Sequence, residues 1–229
     1  MKAIILAAGR GERMMPLTRD MPKPLLMVAG KTVLGHIFEA LPEEIDEAII
    51  VVKYLGEKIR AYCGDNFHGR KIQYAEGNIR GNAFSFLAAH PFVEKGERIM
   101  ILYGDEIPSR KNMEKCLEYR YSWLCKETAR PQSAGVARFR RDGTIEEIAE
   151  KSLNPPSHIA AIGLMVMGAR VFDFLPEQNQ NGEYYLTSIL NKFLKEEKVY
   201  AVLTRDGSRS LTSPADIPII EEFLEKSSH

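Results

Sequence analysis

The sequence predicts an α/β fold built on a mostly parallel central sheet. Short apolar runs without polar alternation occur at residues 2–8, 48–52 and 98–103, and such runs are typical of strands buried on both faces of a sheet. Segments with helical spacing separate these runs. Strands that alternate with helices along a chain are characteristic of parallel sheets, so the order of the elements indicates the fold class.

The first half of the chain alternates regularly between strands and helices. Gly9 ends the first strand, and Pro42 ends the first helix because proline cannot continue a helix. One face of that helix collects Leu34, Ile37 and Phe38 at the spacing of a buried stripe. The predicted elements are strands at 2–8, 48–52, 71–74 and 98–103, and helices at 33–41, 55–62 and 82–89.

The second half of the chain has a different order of elements. The predicted elements are strands at 134–140, 144–148 and 160–167, and helices at 182–197 and 217–226. The segment 127–133, which contains Pro131, is the best candidate for a joint between the halves. It is too short to be a free linker, so we expect a single domain spanning residues 1–229.

The composition excludes two broad classes of protein. The 229 residues include 31 Lys and Arg against 31 Asp and Glu, which gives a formal net charge of zero. Hydrophobic residues make up 45% and charged residues 27%, whereas a disordered chain needs low hydrophobicity and high net charge. A general nucleic-acid binder is also disfavoured, because its mark is a strong basic excess.

Cysteine usage and hydropathy predict a cytoplasmic protein. Cys63, Cys116 and Cys125 stand far apart and form no CxxC pair, so neither a disulfide framework nor a zinc site is expected. Free thiols suit a reducing cytosol. The apolar residues 3–8 are too few for a signal peptide, and no run approaches the ~18 apolar residues of a membrane span. We expect no membrane partner.

The most informative segment follows the first strand. A loop at the carboxyl end of a parallel strand is where α/β folds bind ligands, and Gly9 and Gly11 allow its backbone amides to approach an anion closely. Arg13 and Lys23 add positive charge, and flanking prolines restrict the segment around Lys23. The loop therefore predicts a polyphosphate site. Its sequence is LAAGRGERMMPLT at 6–18, followed by PKPLL at 22–26.

Two common phosphate-binding motifs do not fit this loop. The dinucleotide fingerprint GxGxxG would require glycine at position 14, where the chain has Met14, and the P-loop pattern is absent. A plain tight turn is the other interpretation of Gly9 and Gly11. The additional cations favour a phosphate site.

The loop resembles the signature of the sugar-phosphate nucleotidyltransferases. That signature is LAAGxGxRxxPLT followed by PKPL, and this chain matches it at nearly every fixed position from Leu6 to Leu25. Looser similarity continues through Gly104 and Asp105 and through the sequence GEYYLT at 182–187. The resemblance covers essentially the whole chain. It implies a three-layer, Rossmann-like (GT-A-like) nucleotidyltransferase fold with a mixed, mostly parallel sheet.

The resemblance implies a reaction and a division of the chain. A phosphate oxygen of a phosphorylated small molecule would attack the α-phosphorus of a nucleoside triphosphate, and pyrophosphate would leave. Residues of about 1–126 would bind the nucleotide and those of about 134–229 the acceptor. The implied partners are the triphosphate and the acceptor, without nucleic acid, and a homo-oligomer is left open.

The resemblance also implies roles for individual residues. Arg13 would grip the triphosphate, Lys23 would neutralise charge at the α-phosphate, and Asp105 would bind Mg²⁺. Because the nucleophile is already an anion, positioned cations should supply most of the catalysis. No catalytic histidine is needed, and the five histidines are predicted to pack or to lie on the surface. The remaining implied site residues are Leu6, Ala8, Gly9, Gly11, Glu76, Gly81 and Asn82 for the nucleotide, and Glu150, Lys151, Gly163 and Glu183 for the acceptor.

Several of these residues have plainer interpretations. Asp105 could be a turn residue after Gly104. Glu150 and Lys151 could belong to a solvated run of charges. Glu183 could be a carboxylate placed at a helix N-terminus by the helix dipole. Asn82 could be a helix N-cap, for which asparagine is favoured.

Two segments give conflicting indications of the substrates. The sequence GNAFS at 81–85 is similar to inositol-phosphate and phosphocholine cytidylyltransferases, which favours CTP, and an Asn82 side chain could offer a donor and an acceptor to a pyrimidine. The sequence NGEYYLT at 181–187 is instead similar to the uridylyltransferases of amino-sugar activation. A hexose-1-phosphate enzyme that uses UTP, dTTP or GTP is therefore the alternative.

One departure from the family concerns the metal. The family carries a second metal-binding aspartate late in the chain, and Ser210 falls at that position. A neutral hydroxyl cannot replace the charge of a carboxylate. Substrate phosphates and water could complete the Mg²⁺ shell, Asp206 could reach in, or activity could be reduced. A nucleotide- or sugar-sensing regulatory protein on the same fold is the alternative function.

Overall fold

A twisted sheet runs through the molecule and is covered by helices on both faces. The structure, a computed structural model, describes residues 1–179, 182–205 and 209–227. Asn181, Asp206 and His229, which the sequence analysis considered, lie outside the described residues. The strands are β1 (Lys2–Ala7), β2 (Met27–Val28), β3 (Lys31–Thr32), β4 (Glu47–Val52), β5 (Asn66–Phe67), β6 (Arg70–Glu76), β7 (Arg98–Tyr103), β8 (Glu106–Ile107), β9 (Ser122–Glu127), β10 (Gly135–Phe139), β11 (Ile145–Glu150), β12 (Ile159–Gly168), β13 (Tyr200–Leu203) and β14 (Arg209–Ser210). The helices are α1 (Val33–Ala40), α2 (Gly56–Cys63), α3 (Asn82–Leu87), α4 (Arg110–Leu117), α5 (Leu186–Glu196) and α6 (Asp216–Ser227).

The strand order of the sheet is β5–β6–β4–β1–β7–β12–β9–β13. Strands β6, β4, β1 and β7 are parallel, while β12 is antiparallel to both β7 and β9. The β10–β11 hairpin joins β12 where Val136 pairs with Ala160. The sheet is therefore mixed and mostly parallel, as the sequence predicts.

Strand β1 shows why the fold has three layers. Its side chains alternate across the sheet, so Ala3 and Ile5 enter one core while Ile4 enters the other, and all are fully buried. Helices α1, α2, α4 and α6 cover the first core, and α3 and α5 cover the second. A strand buried on both faces must be apolar at every position, which explains the unbroken run in the sequence.

The strands and helices that were predicted in the first half are confirmed. Helix α4, strands β9 and β13 and the two-residue strands β2, β3, β5, β8 and β14 were not predicted. Helix α4 carries few apolar residues, and β9 lies just before the segment that was taken for a joint. The predicted helix 182–197 is wrong at its start, because α5 begins at Leu186 and Gly182 has φ of 86°.

The segment 127–133 contains a single short 3₁₀ turn, Pro131–Ser133. Strand β9 precedes it and β10 follows it, and both pair with β12. Hydrogen bonds of the sheet therefore cross from one half of the chain to the other. In the described part of the chain, no helix is long and apolar enough to span a membrane.

Candidate active site

The carboxyl ends of the parallel strands open into a cleft of about 1230 Å³. The loop after β1, the end of β7 and the start of α3 form its walls. Four predicted residues lie outside the lining: Glu76, Glu150, Lys151 and Gly163. The predicted residues that line it are Leu6, Ala8, Gly9, Gly11, Arg13, Lys23, Gly81, Asn82, Asp105 and Glu183.

The loop after β1 is shaped by one glycine and one buried anchor. Gly11 has φ of 65°, and a Cβ there would lie 3.0 Å from Thr18 Cγ2. The Thr18 hydroxyl donates to the Gly11 carbonyl oxygen at 2.9 Å, and the fully buried Met14 fixes the 3₁₀ turn that follows. Arg13 belongs to that turn and extends an exposed guanidinium along the cleft. The loop is therefore fixed while its cation reaches into solvent.

Lys23 is held almost completely out of solvent beside a carboxylate. It is 8% exposed. It lies between Pro22 and Pro24 and is the first residue of the 3₁₀ turn Lys23–Leu25. Its Nζ lies 2.5 Å from Asp105 Oδ2. The fold thus brings together a lysine from the loop after β1 and an aspartate from the end of β7. At this point of the fold the lysine can bind an anion and the aspartate can bind a cation.

Asp105 lies between the end of β7 and the start of β8. The Gly104 N–H donates to the Leu6 carbonyl oxygen at 2.9 Å, and a Cβ at Gly104 would lie 2.9 Å from that oxygen. The Asp105 carbonyl oxygen accepts from Leu211 N–H at 2.8 Å. Strands β8 and β14 are antiparallel, with Ser210 directly opposite Glu106. Ser210, where the resemblance predicts a second aspartate, is therefore paired with the residue that follows Asp105.

The donor set fits a hard cation better than a soft one. Within the described residues, no group of three or more His, Cys, Asp or Glu could hold a metal ion. Mg²⁺ commonly uses one or two carboxylates and takes its other ligands from water and substrate phosphates. Asp105 supplies an oxygen donor of this kind at the wall of the cleft.

Asn82 has a structural role that neither sequence interpretation anticipated. The N-cap of α3 is Gly81, so the interpretation of Asn82 as the N-cap is wrong. Its Oδ1 accepts from Leu186 N–H, the first residue of α5, at 2.7 Å. This bond fixes the orientation of the amide. Among the described residues no partner is found for the Asn82 Nδ2 group, which leaves hydrogen-bond donors at the wall of the cleft.

The loop before α3 is packed tightly against the segment before α5. A Cβ at Gly81 would lie 2.5 Å from the Tyr184 carbonyl oxygen. The Arg80 guanidinium lies over the Phe84 ring at 4.0 Å and near the Tyr184 ring at 5.1 Å. The Ser85 hydroxyl bonds the backbone of Asn78. These contacts leave the wall around Asn82 little freedom.

Three of the four predicted acceptor residues lie outside the lining of the cleft, and Glu183 is part of it. Glu150 Oε1 accepts from Thr187 Oγ1 at 2.5 Å. Lys151 has φ of 46°, and its Nζ lies 5.8 Å from the Tyr185 ring centroid. Glu183 is at the rim and precedes α5, so it is not a residue of that helix.

Tyr103 lies at the wall of the cleft and close to the carboxylate of Glu150, one of the predicted acceptor residues. Burial raises the pKa of the Tyr103 phenol, and the nearby carboxylates of Glu150, Glu106 and Asp105 raise it further. Tyr103 itself lines the cleft. The Gly163 N–H donates to Glu106 Oε2 at 3.0 Å. Glu106 and Tyr103 were not predicted as site residues, and their only signal was their place beside Asp105.

Other lining residues were missed because they follow strands whose ends carry no motif. Lys53, Tyr54 and Leu55 follow β4 and line the cleft. Glu76 contacts this group from outside, with its carboxylate 3.2 Å from Lys53 Nζ, and its side chain is 62% exposed. Glu76 therefore touches a residue of the lining rather than the cleft itself.

Comparison with known proteins points to one family. A family model described as nucleotidyl transferase matches residues 2–215. The bifunctional protein GlmU of Methanocaldococcus jannaschii is 33% identical over 227 residues, which cover 98% of this chain and 54% of that protein. The UTP–glucose-1-phosphate uridylyltransferase AglF of Haloferax volcanii is 27% identical over 238 residues, covering 99% of this chain and 97% of that protein. The chain spans about half the length of the GlmU proteins it matches.

Solved structures share the fold. A putative glucose-1-phosphate thymidylyltransferase from Bacillus anthracis superposes with a TM-score of 0.81 at 24% identity, covering 97% of this chain and 94% of that one. A UDP-glucose pyrophosphorylase complexed with UDP-glucose gives a TM-score of 0.85 at 18% identity, covering 99% and 98%. At these identities the likeness is one of fold, and it agrees with the three layers described above.

Proposed function

The chain belongs to the nucleotidyl transferase family, and from this premise we propose that it transfers a nucleoside monophosphate to a sugar-1-phosphate with release of pyrophosphate. The observation that supports the proposal most strongly is the contact of Lys23 Nζ with Asp105 Oδ2 at 2.5 Å beside the glycine-rich loop. That contact puts a phosphate-binding cation and a cation-binding carboxylate at the same point of one cleft.

In the proposed reaction the chain acts by binding and orienting charge. Backbone amides after β1 and the guanidinium of Arg13 bind the triphosphate, and Lys23 stabilises charge that develops at the α-phosphate. The acceptor phosphate attacks in line and needs no general base, because it is already anionic. Asp105 would hold Mg²⁺, which neutralises phosphate charge when bound. When the substrates bind, Lys23 would contact a phosphate instead of Asp105, and Asp105 would contact the cation instead of Lys23.

We propose that the nucleotide is UTP or dTTP rather than CTP. The oxygen of the Asn82 amide is used by Leu186 N–H, so the amide presents donors to the cleft. Uracil and thymine carry an acceptor, O4, where cytosine carries an amino donor. A donor at this wall therefore favours the first two bases. The similarity to AglF supports the same choice.

A nucleotide-sensing protein is the second candidate, and the observation that favours it is Ser210 in place of a carboxylate. Such a protein would bind a triphosphate without turning it over. The buried, paired Lys23 and the intact loop after β1 favour the enzyme.

The two candidates are separated by magnesium-dependent pyrophosphate release. UTP, dTTP, CTP, GTP and ATP are each combined with glucose-1-phosphate, N-acetylglucosamine-1-phosphate, mannose-1-phosphate, inositol-1-phosphate and phosphocholine. We expect release with UTP or dTTP and a hexose-1-phosphate. Nucleotide binding without release from any pair would contradict the proposed enzyme and favour the sensor.

A further inference from the structure

Two side chains that follow β4 bind the end of the glycine-rich loop after β1. The Tyr54 hydroxyl lies 2.9 Å from the carbonyl oxygens of both Thr18 and Arg19, and the Lys58 ammonium donates to the Asp20 carbonyl oxygen at 2.5 Å. We propose that Tyr54 is a positioning residue, which holds this loop in the conformation that binds polyphosphate. The inference rests on the proposed function, because it concerns the loop that binds the triphosphate there.

The second part of the loop has little else to hold it. Every residue of the segment 15–21 is exposed except Thr18, which is fully buried. A segment with so few buried apolar contacts opens easily unless other interactions fix it. Within the described ranges, the side chains from outside the loop that donate to its carbonyl oxygens at 15–21 are those of Tyr54 and Lys58. The position of the segment therefore depends on them.

Thr18 connects Tyr54 with the part of the loop that faces the phosphate site. Its carbonyl oxygen is a partner of the Tyr54 hydroxyl, and its own hydroxyl donates to the Gly11 carbonyl oxygen at 2.9 Å. A Cβ at Gly11 would lie 3.0 Å from Thr18 Cγ2 and 3.3 Å from Lys23 Cβ. Groups packed this closely transmit a displacement from one to the next. A shift of Thr18 would therefore move the Gly11 turn and the base of the Lys23 side chain.

The turn that presents Tyr54 is itself constrained. The Gly56 N–H donates to the Lys53 carbonyl oxygen at 3.2 Å, and the Tyr54 N–H makes a long bond of 3.5 Å to the Ala8 carbonyl oxygen. Leu55 has φ of 49° and ψ of 34°, a left-handed conformation that is uncommon for a residue with a bulky side chain. Such a conformation persists where the surrounding structure fixes it, and it is frequent at functional sites.

A loop that is in place before the ligand arrives binds more tightly than one that must first be ordered. The apparent affinity falls in proportion to the fraction of molecules that hold the competent conformation. Loss of the Tyr54 hydroxyl should lower that fraction, and with it the affinity for any polyphosphate. Tyr54 lines the cleft, whereas Lys58 does not. A loss of affinity caused by Lys58→Met would therefore act through the loop rather than through a direct contact with the ligand.

The test measures binding without requiring turnover. Inorganic tripolyphosphate is titrated into the full chain in the presence of Mg²⁺ and followed by calorimetry. Hydrogen exchange of residues 9–21, followed by mass spectrometry, reports on the loop in the same proteins without ligand. The variants are Tyr54→Phe, which keeps the ring and removes the hydroxyl, and Lys58→Met, which keeps an apolar chain and removes the ammonium.

Each variant has a matched control outside the lining of the cleft. Tyr74→Phe removes a hydroxyl that donates to the Gly64 carbonyl oxygen at 2.7 Å. Lys71→Met removes an exposed ammonium that is paired with Glu47. The first control accounts for the loss of one hydroxyl bonded to a backbone carbonyl, and the second for the loss of one positive charge.

We expect Tyr54→Phe to bind tripolyphosphate about fivefold more weakly than the wild type, which is the value of one neutral hydrogen bond. Lys58→Met should weaken binding more than Lys71→Met does. Both variants should speed hydrogen exchange within residues 9–21 and leave it unchanged elsewhere in the sheet. The KM for a sugar-1-phosphate should stay at the wild-type value, which a general loss of structure would not allow.

Two results would overturn the inference while the proposed function stands. In the first, Tyr54→Phe binds tripolyphosphate as tightly as Tyr74→Phe does. In the second, Tyr54→Phe weakens binding but the exchange of residues 9–21 is unchanged and Lys58→Met behaves as Lys71→Met does, so that Tyr54 contacts the ligand directly and does not position the loop. If the wild type binds neither tripolyphosphate nor UTP, the loop is not a polyphosphate site, and the proposed function fails together with the inference.

Discussion

At the scale of single residues, the site depends on charge that is fixed before substrate arrives. Burying the charge of a lysine to 8% exposure destabilises the fold unless the charge is paired, and Asp105 is the partner of Lys23. The net charge of the chain is zero, so the attraction for phosphate is local. The motif identified Lys23 and Asp105 separately, since each is marked by its own neighbours in sequence. Their contact could not be predicted, because it depends on the packing of β1 beside β7.

We predict that Lys23→Ala lowers kcat by about 10²–10³, the usual effect of removing one group that stabilises transition-state charge. The measurement is pyrophosphate release at saturating substrates. Asp105, whose side chain is 36% exposed, can then be hydrated, so the melting temperature should change little. The control is Lys31→Ala, which removes an exposed ion pair with Glu39. Equal activity of both variants would show that Lys23 is not catalytic.

Asn82→Asp separates the two functions of the Asn82 amide. Aspartate keeps the acceptor for Leu186 N–H but removes the donors that face the cleft. We predict that the ratio of kcat/KM for UTP to that for CTP falls by up to about tenfold, the value of one neutral hydrogen bond. The ratio cancels the general repulsion of triphosphates by the new charge. Asn78→Asp, which adds a charge to the same wall, should leave the ratio unchanged.

At the scale of elements, the sequence was most informative where one element is buried on both faces. Strands β1, β4 and β7 have unbroken apolar runs, and their positions were predicted closely. Helix α4 was missed because its sequence RKNMEKCL buries only Asn112, Met113 and Cys116. The start of α5 was misplaced because it is fixed by the side chain of Asn82, which is distant in sequence.

The packing of the loop before α3 gives a prediction for Gly81. An alanine Cβ there would lie 2.5 Å from the Tyr184 carbonyl oxygen, whereas at Gly30 it would meet nothing within 4 Å. Both glycines have positive φ, but Gly81, at φ 130° and ψ 171°, lies in a region that is essentially restricted to glycine, so its variant also carries backbone strain on the order of 1–3 kcal/mol. We predict that Gly81→Ala loses clearly more free energy of unfolding than Gly30→Ala, as measured by urea denaturation. Equal losses would contradict the close contact.

At the scale of the whole molecule, the sheet joins the two halves of the chain into one site. The loop after β1 was predictable because its residues are contiguous. The surroundings of Glu106, with Ser210 and Gly163, depend on the return of the chain through β12 and β14. Such pairing leaves no local pattern in the sequence, so these surroundings could not be predicted.

The buried thiols give a prediction about pH. Burial raises the pKa of Cys63, Cys116 and Cys125 to about 12 each, against about 8.5 in an unfolded chain. Above pH 8.5 or so the unfolded state loses protons that the folded state keeps, so stability falls as pH rises toward 12. The slope is up to about 1.4 kcal/mol per pH unit for each thiol. Urea denaturation between pH 8 and 10.5 measures it.

The control for this prediction is the variant in which all three cysteines are replaced by alanine. Alanine removes the titrating groups, so the alkaline loss of stability should become shallower even if the variant is less stable at neutral pH. An unchanged slope would show that other groups cause it.

The most direct test of the central claim is ³¹P NMR of a reaction containing the protein, Mg²⁺, UTP and glucose-1-phosphate, with dTTP and the other hexose phosphates as parallel samples. Transfer predicts that the two phosphorus signals of a nucleoside diphosphate sugar grow in step with pyrophosphate while the sugar phosphate signal declines. Lys23→Ala should show neither change on the same time scale. Pyrophosphate that grows together with a nucleoside monophosphate, while the sugar phosphate stays constant, would mean hydrolysis and would contradict the proposed transfer.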